Sequence, residues 1–369
     1  MLRTVGGLLY DGDEGRRLIG PNDSTVVPFR WLAETFIQYV GHNHNFPQYT
    51  TDTETKIIAN SDREFWWKYG WILSNRFGFN CLRTSGGSYW GTEQMLDWYE
   101  HDRAGFMAYL QDMFDMAWAN GIYIIFCFVG GFYDAAIDPA TTDHIFVAGS
   151  PTYNRILAWI GDVMNAFKDH PGVGAWDICN EPDSQPAYNY WVAKNSSNPR
   201  IPYEAWSNRF MDDCIALNHS HIMTMGVGTG SNLIQWGEAN WKVANPNHAD
   251  VWHAHRYFSV EDGYLVADPH RWAANEAKHM LIGEVNKNTT APPWTLQYWA
   301  WFDGLAEEYG DSCIWMQLDA HPLYPVPQSY MNSIPPMPDV VPPKSSGSPL
   351  PWFMLIGAGA MLGIGLIKK

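Results

Sequence analysis

Basic residues are in short supply: 23 Lys and Arg stand against 39 Asp and Glu, a formal net charge of −16. A surface with that balance repels nucleic acid and anionic headgroups, which sets a nucleic-acid partner aside and suits a neutral or cationic one. Charge of either sign is limited to 17% of residues, against 46% hydrophobic, so the chain has apolar matter for a sizeable core and too little charge for a disordered polymer. Cysteine is scarce as well. Five residues without regular spacing argue against a disulfide framework or a zinc site and leave the redox compartment undetermined. Cys81, Cys127, Cys179 and Cys313 fall in apolar segments, where a thiol serves as a small buried hydrophobe. The first twenty residues, MLRTVGGLLYDGDEGRRLIG, lack the long apolar run of a secretory signal.

Aromatic residues are plentiful, at 15% of the chain with 20 Trp. Flat rings can cover the apolar faces of sugars, or they can pack helices on a sheet, and the second use is expected for most of them. At the other end, residues 350–367 read LPWFMLIGAGAMLGIGLI, uncharged throughout and followed by Lys368 and Lys369. That length is near the lower limit for a membrane span, and the two lysines suit a headgroup boundary. A Pro- and Ser-rich stretch, SIPPMPDVVPPKSSGSP, precedes it and reads as an extended spacer. The expected organisation is a globular domain over 1–332, a linker over 333–349 and a C-terminal transmembrane helix over 350–369.

Within the globular part, short β-rich runs alternate with longer segments of helical period, the pattern of repeated βα units around a parallel sheet. Eight strands are expected, at 24–31, 79–85, 122–129, 173–180, 222–228, 250–257, 279–285 and 312–318. Several are apolar almost throughout, as strands covered on both faces must be. Helices are expected over REFWWKYGWILSNRFG before the second strand and YNRILAWIGDVMNAFKDHPG before the fourth. Eight such units favour a closed (β/α)8 TIM barrel. Residues 41–60 and 183–202 then form loops at the carboxyl ends of strands one and four, where such barrels carry their active sites.

Two acids end predicted strands. Glu181 closes the fourth, in Trp176-Asp177-Ile178-Cys179-Asn180-Glu181-Pro182, and Glu284 closes the seventh, in Leu281-Ile282-Gly283-Glu284. Those strands face each other across the mouth of an eight-stranded barrel. Two carboxyl groups roughly 5 to 5.5 Å apart, one protonating a leaving oxygen and one attacking an anomeric carbon, are what retaining glycoside hydrolysis requires.

The Asn-Glu-Pro triplet after an apolar, Trp-containing strand resembles glycoside hydrolase clan A, and within it family 5, the cellulase and mannanase family. The resemblance runs through GFNCLRTS, NGIYIIF, FKDHPGVGAWDICNEP, His255-Arg256-Tyr257, Gly283-Glu284 and Trp315. It implies Glu181 as acid/base, Glu284 as nucleophile and Asn180 on the sugar 2-hydroxyl. It further implies Arg83 and Tyr257 beside Glu284, His255 orienting the acid/base region, and Trp315 flooring the subsite of the reacting sugar. An adjacent cation lowers a carboxyl pKa and burial raises one, so the two acids can divide the roles. One departure is plain: the third strand ends Phe126-Cys127-Phe128-Val129-Gly130-Gly131, without the histidine that family members often carry there.

The expected activity is therefore retaining hydrolysis of a β-linked oligo- or polysaccharide, endo-acting on a β-1,4-glucan or mannan, with no metal or organic cofactor. Two other readings are weighed. One is a carbohydrate-binding or surface-display barrel without turnover. The other is a metal-dependent barrel hydrolase using His42 and His44 with His253 and His255. The tail suggests a barrel held at the cell surface or extracellular side of a membrane, with Gly359 and Gly363 as a small-xxx-small face for helix pairing.

Overall fold

In the computed structural model, the backbone is described for residues 2–5, 8–11, 32–36, 48–50, 56–58, 61–77, 79–85, 92–130, 138–183, 185–217, 220–228, 245–258, 267–287 and 312–315. Side chains are described for Leu2, 61–75, 79–84, 95–130, 138–183, 187–217, 220–228, 245–255 and 271–281.

The first helix shows how local sequence sets the elements. In α1 (Asp62–Phe77), Phe65, Trp66, Tyr69, Ile72 and Leu73 recur at helical spacing and are all buried. Ser61 Oγ accepts from the Glu64 amide at 3.2 Å, and Asp62 and Glu64 place negative charge in the first turn, where the helix dipole favours it.

Two strands precede this helix in an amino-terminal ribbon, β1 (Leu2–Val5) and β2 (Leu8–Asp11), which pair antiparallel. The barrel begins with β3 (Leu32–Phe36), and β4 (Gln48–Thr50) and β5 (Lys56–Ile58) form a second antiparallel ribbon before α1. After α1 come β6 (Cys81–Ser85), α2 (Thr92–His101), α3 (Arg103–Ala119), β7 (Tyr123–Val129), α4 (Pro151–Ala166) and β8 (Val173–Asn180). The remainder is α5 (Gln185–Lys194), α6 (Arg200–Ile215), β9 (Ile222–Val227), β10 (Val251–Phe258), α7 (Ala267–Asn275), β11 (His279–Lys287) and β12 (Ser312–Trp315).

Eight strands close into a ring in the order β3, β6, β7, β8, β9, β10, β11, β12 and back to β3, every neighbouring pair parallel. This is the expected α/β barrel. Its outer layer is aromatic. Trp159 and Trp176 meet Phe128 edge-on and tilted, with centroids 5.5 and 5.4 Å away, and Trp191, Trp206 and Phe146 pack together between helices. The packing use of these rings thus accounts for Trp66, Trp159, Trp176, Trp191 and Trp206, all buried.

The interior is layered. Cys81, Tyr123, Ile125, Ala175, Ile222, Val251 and Leu281 fill the amino-terminal end of the ring. Leu2 of the β1–β2 ribbon packs on them and closes that end, a burial that stabilises by about 2 kcal/mol. Above this apolar floor the interior turns polar, with Arg83, Asp177, Thr224 and His253 all buried.

Two expectations need correction. The first barrel strand is Leu32–Phe36 and not 24–31, which lies outside the described residues. The ladder decides this: Ala33 stands opposite Cys81, and Cys313 opposite Leu32. Residues 183–202 are not a simple loop either, because they contain α5 and the start of α6. Ala187, Tyr190 and Trp191 bury one helical stripe against Phe146, Tyr203 and Trp206, and that burial drives the local helix. Residues 41–60 carry the β4–β5 ribbon. Among the described residues, no helix is long and apolar enough to cross a membrane. The linker 333–349 and the apolar segment 350–369, with Gly359 and Gly363, lie outside the described residues.

Candidate functional site

Polar side chains gather at the carboxyl ends of β6, β8 and β10. Asp177 is the base of the arrangement. It interrupts the apolar run 173–179 and is fully buried, so both carboxylate oxygens must find donors. Oδ2 accepts from Arg83 Nε at 2.8 Å and is ion-paired with Nη2 at 2.7 Å, and Oδ1 accepts from the Gly226 amide at 3.0 Å. Arg83 Nη2 also donates to Asn180 Oδ1 at 2.7 Å.

Glu181 follows at once. Opposite β9 the register slips: Asp177 pairs with Thr224 but Asn180 with Gly226, three steps on one strand against two on the other. A bulge of this kind re-aims the residues that follow it. Glu181 then takes φ 47°, left-handed backbone that a non-glycine residue adopts only when its surroundings compel it. Its amide donates to the Gly226 carbonyl at 2.7 Å, and Asp183 Oδ1, two residues on, accepts from the Gly228 amide at 2.7 Å. These two bonds fasten the turn to β9 on either side of the glutamate.

The Glu181 side chain is only 16% exposed, and Oε1 lies 2.7 Å from His255 Nδ1. Burial pushes its carboxyl above the usual range, with the Arg83 cation pulling the other way. Two residues deeper on β10, His253 is fully buried, its ring centroid 5.1 Å from that of His255 and its Nδ1 3.5 Å from Asp177 Oδ2. Burial first, then Arg83 and His255, hold His253 well below the usual histidine range, so it stays neutral.

The glycines on β9 are part of the site. A methyl group at Gly226 would lie 2.8 Å from His255 Nε2, 3.1 Å from Arg83 Nη2 and 3.2 Å from His253 Cε1. Gly226→Ala is therefore expected to displace His255 from Glu181 while the circular dichroism spectrum stays native, a change that the ring nitrogen NMR shifts would report. Unchanged shifts would show that the added methyl is accommodated elsewhere.

Glu284 is placed through its backbone. Along the β10–β11 ladder Ala254 stands opposite Ile282 but His255 opposite Glu284, so Gly283 is the extra residue of a second bulge. The other edge of β11 agrees, with Ile282 opposite Cys313 and Val285 opposite Trp315. Glu284 thus occupies the register position of His255, which itself holds Glu181, and Tyr257 stands two residues past it opposite Asn286. Trp315 lies on β12 opposite Glu34 of β3. The side chains of Tyr257, Glu284 and Trp315 lie outside the described residues, and with them the contacts expected of Arg83 and Tyr257 with Glu284.

Of the residues singled out from sequence, the structure brings Arg83, Asn180, Glu181 and His255 into one network. It adds Asp177, Asp183, Gly226 and Gly228, and sets His253, singled out with His255, beside Asp177. Asp177 carried a signal, since a lone acid inside a buried strand needs a cation; Asp183 and the two glycines carried none before the β8–β9 register was known. Where family members often have a histidine, Phe126 to Val129 are buried, and Phe128 faces Trp159 and Trp176. Among the described residues, no three His, Cys, Asp or Glu side chains are grouped to hold a metal ion, and His42 and His44 lie outside them. His253 and His255 stand over the fixed cation Arg83, which opposes a metal there on electrostatic grounds.

No protein-family model and no curated protein matches the sequence. Solved structures match the fold. An endo-1,4-β-mannanase from Rhizomucor miehei superposes with a TM-score of 0.56 at 15% identity, over 86% of this chain and 90% of that one. A glycoside hydrolase family 5 mannosidase from the same organism gives 0.52 at 13%, over 78% and 81%. A Saccharomyces cerevisiae Gas2p mutant, in complex with laminaritetraose and laminaripentaose, gives 0.50 at 12%, over 85% and 59%. At such identities the likeness establishes a shared barrel fold.

Proposed function

We propose that this chain is a retaining β-glycoside hydrolase, acting by double displacement with Glu181 as acid/base and Glu284 as nucleophile. The observation that carries the reading is the pair of bulges. Each candidate carboxyl residue stands immediately beyond a slipped register, one directly after β8 and one within β11. The environment of Glu181 suits an acid, because burial favours the protonated form that must donate to the leaving oxygen. Glu284 then attacks the anomeric carbon, and Glu181, deprotonated, draws a proton from the water that releases the sugar. Arg83 and Tyr257 favour the ionised form of Glu284, Asn180 binds the 2-hydroxyl, and Trp315 stacks under the sugar ring.

The substrate we favour is a β-1,4-linked glucan or mannan cut internally. The likeness to a structure named as a mannanase supports it, and that to Gas2p with laminari-oligosaccharides keeps other β-glucans in the test. Beyond the barrel, we assign 333–349 as a spacer and 350–369 as a membrane anchor that pairs through Gly359 and Gly363. Sedimentation of the full chain with membranes, lost on truncation after residue 332, is the outcome expected; a full chain that stays in the supernatant overturns the anchor.

The deciding experiment is hydrolysis of soluble β-glucans, β-mannans, xylan and aryl β-glycosides, with product anomers followed by NMR. Products of retained configuration are expected. Inverted products would sink the two-glutamate assignment, and binding without turnover on any member would leave a carbohydrate-binding barrel.

A further inference from the structure

Asp177 touches no position a substrate can reach, yet it governs one that does. Arginine only donates hydrogen bonds, so the Asn180 atom 2.7 Å from Arg83 Nη2 must be the amide oxygen. The donor end, Nδ2, is thereby directed away from Arg83. Nη2 donates to Asn180 and is ion-paired with Asp177 Oδ2, while Nε donates to that same Oδ2. A guanidinium gripped along one edge cannot rotate.

The grip itself is anchored. Asp177 Oδ1 is held by the Gly226 amide, and the carbonyl of that same residue receives the Glu181 amide. One residue of β9 therefore fixes the floor of the site through its nitrogen and the turn carrying Glu181 through its oxygen.

We propose that Asp177 is a positioning residue for the reaction put forward above, on which this inference rests: by clamping Arg83 it sets the Asn180 amide so that Nδ2 is offered to the oxygen of the substrate 2-hydroxyl. The chain runs from Asp177 to Arg83 to Asn180 to the sugar. It predicts that recognition of the 2-hydroxyl, and not only overall activity, depends on a carboxylate buried beneath the site.

The test is Asp177→Asn, close to isosteric. An amide at 177 must aim its NH2 end either at Arg83 or at the Gly226 amide, both donors, so no orientation keeps both bonds. Wild type, Asp177→Asn, Asn180→Ala and the double variant are compared on an aryl β-glycoside and its 2-deoxy analogue. In wild type the preference in kcat/KM for the 2-hydroxyl substrate should be large. In Asp177→Asn it should shrink by about 10- to 100-fold, carried by kcat more than KM, and the double variant should discriminate no worse than Asn180→Ala.

Should Asp177→Asn not fold, Arg83→Lys is read in its place. It keeps a cation for Asp177, but a rotatable ammonium has no planar edge to fix the direction in which Asn180 is held, and the same loss of preference is expected. A variant that slows equally on both substrates, with the preference intact, overturns the inference and assigns Asp177 a structural role. Wild type without turnover on any glycoside overturns the glycosidase reading and this inference together, so the two failures are told apart.

Discussion

Glu284→Ala is expected to lower kcat on an unactivated β-glycoside by at least about 10⁴-fold, because it removes the carboxyl group proposed to form the covalent intermediate. The stereochemistry of rescue makes the expectation specific. With Glu284 truncated, a small external nucleophile such as azide fits the vacated space and attacks the anomeric carbon from the face opposite the leaving group, while Glu181 still protonates the departing oxygen. The product should be the α-glycosyl azide, of inverted configuration. Substrate binding should persist, since the Arg83, Asn180 and His255 network does not depend on that carboxylate for its internal bonds. A β-glycosyl azide from this variant, or wild-type rates without azide, would remove Glu284 from the nucleophile's role.

That two glutamates could be named from sequence, and their setting could not, has a physical basis. Strands such as Val173–Asn180 and Tyr123–Val129 are legible because a parallel strand covered on both faces is a short apolar run with little else to be. An acid at the end of such a run stands out, as Glu181 and Glu284 do. Register is another matter. The slips beside Asn180 and Glu284 exist only relative to β9, β10 and β12, and nothing in the eight residues of a strand says which neighbour will pair out of step. The same holds for the first barrel strand. Thr25-Val26-Val27 has the β-branched composition of a strand, but the ladder selects Leu32–Phe36, where the partners Cys81 and Cys313 are. With α5 the signal was present. Ala187, Tyr190 and Trp191 mark a helical stripe, although Pro186 and the Asn- and Ser-rich residues after it suit a loop. Asp177 stands inside the motif that ends in Glu181, and its complete burial, the more telling property, depends on the strands around it.

Removal of Glu181 should give the complementary result, and pH separates the roles further. To act as an acid, Glu181 must hold its proton when the substrate is bound. Burial raises its pKa above the ordinary glutamic acid range, against the opposing pull of Arg83, so the protonated form persists to higher pH than for an exposed carboxyl. In wild type, kcat/KM should therefore fall on the alkaline side as pH rises through this raised value, and on the acid side as the nucleophile takes up its proton. Because the two carboxyls share one site, the limbs report the pair. In Glu181→Gln the alkaline limb should disappear and kcat on natural linkages should fall by about 10³-fold, within the range for loss of a general acid. Aryl glycosides with strongly acidic leaving groups need no proton in the first step, so they should still form the intermediate on Glu284 and stall there. Azide should release that intermediate by attack from the face Glu181 normally serves, giving the β-glycosyl azide, of retained configuration. Opposite azide anomers from the two variants would fix each glutamate to one role, whereas an alkaline limb that survives in Glu181→Gln would assign the proton to another group, with His255, 2.7 Å from the Glu181 carboxyl, the first to examine.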